Sequence, residues 1–161
     1  IYRGTMDGTS EMIVQSELGL AARSISPDGK YALVTQTVGE DGDNLYLLDL
    51  TTREMTTISE PPVEDRASHT LGGFEWRPDS QGFGFSSNVG REFGALTTYT
   101  MATSTLQTIA TPDADIENLE VCGEGQNELV IYTENRDGFD TLRIRNGRDG
   151  SAGALHASAA A

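Results

Sequence analysis

Residues 26–50 read SPDGKYALVTQTVGEDGDNLYLLDL, and this stretch decides the fold. Ser26-Pro27-Asp28-Gly29 places proline second and glycine fourth, the pattern of a type I turn. Tyr31–Thr37 is rich in Val, Thr and Tyr and predicts a strand. Gly39–Asp43 supplies a Gly-rich hairpin, and Leu45–Leu50 returns as a second strand. Ala21–Ile25 before this stretch and Met55–Ser59 after it complete a unit of four short strands.

The unit recurs. Residues 77–101, RPDSQGFGFSSNVGREFGALTTYTM, align with the first copy at a constant offset of 51 without a gap. Pro27-Asp28 falls on Pro78-Asp79, Val38-Gly39 on Val89-Gly90, and Thr57-Ile58 on Thr108-Ile109. A third copy lies at an offset of 96, where Leu33-Val34 meets Leu129-Val130 and Asp41-Gly42 meets Asp137-Gly138. The second unit predicts strands at Leu71–Trp76, Gly82–Asn88, Ala95–Met101 and Leu106–Ala110. The third predicts Ile116–Val121, Glu128–Thr133 and Thr141–Arg145, with a weak outer strand. No helix-period stripe is visible. Four short antiparallel strands per repeat of about 45 residues is a β-propeller blade.

The expected architecture is therefore all-β, a single propeller domain of about three and a half blades. Residues 1–20 end a preceding blade, and residues 21–59, 71–110 and 116–161 form the three that follow. A closed ring needs four blades or more. The chain also begins at Ile1 with no Met. Either it is part of a longer polypeptide, or two copies close a ring of about seven blades.

Composition narrows the partners. Asp and Glu number 25 against 11 Lys and Arg, for a net charge of −14. Such a surface repels nucleic acid and anionic lipid, so neither is expected as a partner. Lys30 is the sole lysine. An acid-rich, lysine-poor surface resembles that of proteins from salt-loving archaea, an ordinary acidic protein being the alternative. Cys122 is the single cysteine, which excludes an internal disulfide and a cysteine metal cluster; Leu119 and Val121 beside it predict a buried thiol. With no membrane-spanning apolar run and no signal peptide, a cytoplasmic location is expected.

Candidate chemistry is sparse. His69 sits in the inter-blade stretch EPPVEDRASHTLGG beside Glu64, Asp65 and Arg66, and the other histidine, His156, lies in the tail. A general base or metal ligand at His69 would lack a partner. The stretch is instead the best candidate for substrate or partner contact, through Asp65, Arg66 and His69, because loops on rigid scaffolds carry recognition. Glu40-Asp41-Gly42-Asp43-Asn44 offers oxygens for calcium, but Thr52 stands where an EF-hand loop needs Glu, so a solvated hairpin turn is expected. The matching Glu134–Asp140 stretch is read the same way. Trp76 precedes the Pro78 turn and is assigned to blade packing. Arg143 and Arg145 alternate with Leu142 and Ile144, giving one charged and one apolar face. No metal and no cofactor are expected.

The S-P-D-G-K turn, the D-G hairpin and the strand LYLLDLTT resemble the blades of TolB-like and prolyl oligopeptidase-like propellers. FEWRPDSQGFGFSSNVG and ENRDGFDTLRI are similar to blade forms in the N-terminal propellers of those peptidases. The resemblance runs nearly to Asn146. It implies a propeller that covers the active site of a separate α/β-hydrolase domain and restricts access to short peptides. The nucleophile elbow G-x-S-x-G of such a hydrolase is missing from this sequence; Gly82-Phe83-Gly84-Phe85-Ser86 has the glycines but misplaces the serine. No catalytic residue is therefore assigned. The expected function is a non-catalytic propeller segment of a serine peptidase, with peptide substrate and a hydrolase domain as partners. A TolB-like protein-interaction module is the alternative.

Overall fold

Alternating side chains that are apolar on both faces dictate sheets buried on both sides, and stacking is the way to satisfy them. The computed structural model describes residues 1–17, 19–39, 42–60, 70–123 and 125–152. It is all-β, with thirteen strands in four antiparallel sheets, the arrangement of a partial propeller. A leading hairpin pairs β1 (Tyr2–Gly4) with β2 (Ser10–Met12). The first full blade runs β3 (Leu20–Ile25), β4 (Tyr31–Gly39), β5 (Gly42–Asp49) and β6 (Met55–Ser59). The second runs β7 (Leu71–Trp76), β8 (Gly82–Ser87), β9 (Ala95–Thr100) and β10 (Thr105–Ala110). The third holds β11 (Asp115–Cys122), β12 (Leu129–Arg136) and β13 (Phe139–Asn146). Beyond β13 the described residues add one bridge, Arg145 to Ala152. Strands within each blade pair in chain order.

Three apolar layers hold the sheets together. Ala32, Val34 and Leu48 of the first blade pack on Ile13 beside the leading hairpin. Leu33, Leu45 and Leu47, on the opposite face of β4 and β5, pack against Trp76, Phe83, Phe85 and Tyr99 of the second blade. Leu96 and Ala110 then meet Ile116, Leu119, Val130 and Tyr132 of the third. Each fully buried large side chain contributes roughly 1.5–3 kcal/mol.

Because each blade is a meander, its connections alternate between two rims. The turn rim carries residues 26–30, 77–81 and 125–128; the hairpin rim carries the β8–β9 and β12–β13 connections and the link from β10 to β11. At the turn rim, Gly29 N–H donates to Ser26 O at 2.8 Å, and Ser80 N–H to Arg77 O at 2.9 Å. Ser80 takes the left-handed position of Gly29, with φ of 60° against 71°. Its compensation is a cross-blade bond, since the Ser80 hydroxyl accepts from Asp28 N–H at 3.1 Å.

The inner strands are all bulged. Register shifts interrupt β3 between Ala22 and Ser24, β7 between Gly72 and Glu75, and β11 between Glu117 and Glu120. A bulge bends a strand and re-aims its side chains. In β11 it turns Leu119 and Val121 toward the second blade. Leu119 fits there because Gly84 has no side chain: a Cβ at Gly84 would lie 3.2 Å from Leu119 Cδ2. Cys122 consequently points away. Its thiol is exposed, correcting the expectation of a buried one.

Candidate binding site at the hairpin rim

The β12–β13 hairpin is tight, with Asp137 and Gly138 both at positive φ (54° and 83°), as a two-residue primed turn requires. The β8–β9 connection is different. Pairing stops at Ser87 and resumes at Ala95, although the same positions of the first blade stay paired from Thr37↔Asp43 to Gly39↔Gly42. Asn88 is diverted: its Oδ1 accepts from Thr70 N–H at 2.7 Å, and its own N–H donates to Thr70 O at 3.4 Å. Gly94 N–H donates across the blades to Asp115 Oδ1 at 3.2 Å. The connection thus opens outward and is pinned to the starts of β7 and β11.

A cleft of about 380 Å³ lies between these three segments. Ser86, Asn88 and Thr70 supply polar atoms, Leu71 and Ile116 apolar walls, and Glu92, Asp115 and Glu117 carboxylates. Gly94 makes room for the serine, because a Cβ there would collide with Ser86 Oγ. Carboxylates continue along the inner strands. Burial raises the pKa of Glu75 on β7 above the ordinary glutamate value, and neighbouring Glu120 on β11 raises it further. Among the described residues, no cluster of His, Cys, Asp and Glu is arranged to hold a metal ion.

The opposite rim holds a buried ion pair. Arg77 Nε lies 3.1 Å from Glu128 Oε1, with the Glu128 side chain 3% exposed. The contact is off the N–H axis, so it is an ion contact rather than a linear hydrogen bond. Burial raises the Glu128 pKa, and Arg77 and Arg148 offset this only in part. The pair joins the turn of the second blade to the start of β12 in the third.

Asp65, Arg66 and His69 lie outside the described residues, as do His156, Glu40 and Asp41. Trp76 stands in the layer between the first and second blades, its ring 5.1 Å from Phe83 and 6.5 Å from Tyr31. The charged face of β13 lies along β12: Arg143, itself exposed, donates to Glu134 at 3.0 Å and Arg145 to the Tyr132 hydroxyl at 2.8 Å. Glu134 is therefore a buried ion-pair partner, not the solvated carboxylate expected from the sequence. The residues of the cleft escaped sequence reasoning. The available signal was a departure from the repeat, since Asn88 and Gly94 replace Thr37 and Asp43 of the first copy.

No family model and no curated protein match this sequence. Solved structures do match its fold. TolB from Acinetobacter baumannii aligns with a TM-score of 0.63 at 16% identity, over 93% of this chain and 35% of its own. A structure from a study of two prolyl endopeptidases aligns at 0.60 and 16% identity, over 92% of this chain and 26% of its own. Puromycin hydrolase aligns at 0.64 and 14% identity, over 88% of this chain and 22% of its own. The chain thus spans about a third of that TolB and about a quarter of these two hydrolases. At these identities the likeness carries the fold, a propeller of the kind found in TolB and the prolyl peptidases.

Proposed function

We propose that this chain is a non-catalytic propeller segment of a prolyl oligopeptidase-like serine peptidase, adapted to high salt. It admits peptides and docks a hydrolase domain. The observation that carries this reading is the superposition of its sheets on part of a prolyl endopeptidase and of puromycin hydrolase, at TM-scores of 0.60 and 0.64. The chemistry agrees with it: the sequence lacks a nucleophile elbow, and among the described residues the hairpin rim offers a cleft lined by carboxylates, hydroxyls and apolar walls. Gating is steric and electrostatic, through an acidic surface that favours cationic over anionic peptides. Asp65, Arg66 and His69 contribute contacts from the link between the first two blades.

The test has two parts. The chain alone should not turn over peptide p-nitroanilides, and turnover abolished by His69→Ala would overturn the non-catalytic assignment. Reading the encoded sequence past Ala161 should then reveal G-x-S-x-G followed by Asp and His. Further blades alone would instead favour a TolB-like interaction module, the second reading, which rests on the TM-score of 0.63 over 93% of this chain. Light scattering in molar salt would expose self-association that closes a ring.

A further inference from the structure

We propose that the cleft between the second and third blades is a receptor for one basic side chain, arginine or lysine, presented by a peptide or protein partner. The inference rests on the binding role above and names its ligand class. Three observations converge on it. First, Glu92, Asp115 and Glu117 line the cleft, and among the described residues no arginine or lysine forms an ion pair with any of them. Second, Ser86 is 8% exposed, and its hydroxyl has no hydrogen-bond partner among the described residues. It points toward Gly94, on the cleft wall. The hydroxyl oxygen is thus held in one place at the cleft wall, free to accept from an incoming N–H donor. Third, Leu71 and Ile116 give the aliphatic stem of Arg or Lys an apolar wall, while the carboxylates meet its charged head.

The geometry also selects against other cations. The carboxylates are spread around the cleft rather than converged, and no metal-holding cluster occurs among the described residues. A spread set of acceptors suits a group that carries several donors on one plane. Guanidinium presents five N–H donors in a fixed fork, ammonium three on a point charge. Arginine should therefore bind more tightly than lysine. Asp115 is already oriented, because its Oδ1 is held by Gly94 N–H.

The experiment uses the full chain and three peptides of one sequence, acetylated and amidated at the ends, with Arg, Lys or citrulline at the centre. Amide shifts of Gly72 and Gly94 are followed by NMR at low and high salt. Saturable shifts with Arg, several-fold weaker binding with Lys, none with citrulline, and loss of binding as salt rises are expected. Asp115→Asn/Glu117→Gln should weaken the Arg peptide at least about tenfold, and Ser86→Ala several-fold. If the double variant does not fold, Glu92→Gln, in the exposed connection, is read instead and should weaken binding about threefold. Equal binding of the citrulline peptide, or unaltered affinity in the folded carboxylate variants, would overturn the proposal. Arg-peptide binding that persists while a hydrolase domain fails to associate would remove the docking role and leave the cleft assignment standing. Docking without any response at Gly72 and Gly94 would do the reverse.

Discussion

The layer between the first and second blades and the layer between the second and third use equivalent strand positions and opposite chemistry. The first is aromatic at its centre: Phe83, fully buried, lies 5.0 Å from Tyr99 and 6.1 Å from Phe85, with Trp76 edge-on. The second is built around a glycine, with Leu119 seated over Gly84. It is flanked by a buried Arg77–Glu128 contact at one rim and an acidic cleft at the other. Both layers leave a cleft at the hairpin rim, but that of the first is lined by Ser59, Ser87, Thr97 and Arg91, and that of the second by Glu92, Asp115 and Glu117. On the proposal above, recognition belongs to the second layer, and the stacked rings of the first supply the rigidity against which it works.

The hardest blow to this contrast falls on the aromatic layer. Phe83→Ala should cost about 4 kcal/mol of unfolding free energy in urea, against about 3 kcal/mol for Leu119→Ala. Equal costs would mean that the two layers do not differ in packing. Glu128→Ala leaves Arg77 buried beside nothing and should cost about 3 kcal/mol, whereas the double replacement Arg77→Met/Glu128→Leu should recover most of it. A double variant as unstable as the single one would show that the charges are not the issue. Gly84→Val pushes Leu119 out of its seat and should cost about 2 kcal/mol, with the Gly94 amide shift moving as the blades separate. The same variant without effect would deny that this glycine sets the blade spacing.

The smallest effect is on pH dependence, and its sign follows from the buried carboxylates. Glu75 and Glu128 have folded pKa values raised above the ordinary 4.5. Their contribution to stability is fully present below that value and is lost as pH rises through the raised folded values. Asp28 and Asp49 have lowered values, held down chiefly by the Ser26 hydroxyl and the Thr52 amide respectively. Their contribution is lost as pH falls through folded values under 3.8. The urea midpoint should therefore peak near the ordinary carboxylate range and decline toward neutrality. Glu75→Gln should flatten that decline; an unchanged slope in the variant would remove Glu75 from the account.

Much of the fold was legible because turns and alternation are local. The Pro27 turn, the Asp137-Gly138 hairpin and the alternation through Leu33 and Leu47 each state their geometry within a few residues. Ser80 was harder to read, since a serine at positive φ is sustained by a bond from a different blade. Cys122 is exposed because it follows the inward-facing Val121 on an alternating strand, and what covers the other face of β11 is decided by neighbouring sheets rather than by adjacent residues. The cleft was invisible because Ser86 and Gly94 belong to the second blade and Asp115 to the third, and they meet only when the two blades stack.

The sequence by itself determined the blade, its repetition and its acidic surface, since these depend on periodicity and composition that any short window carries. Only the tertiary structure decided which layer would stack aromatic rings and which would gather carboxylates at its rim. That choice rests on side-chain volumes summed across two sheets, Phe83 and Trp76 on one side and Gly84 on the other, and no single strand contains the sum.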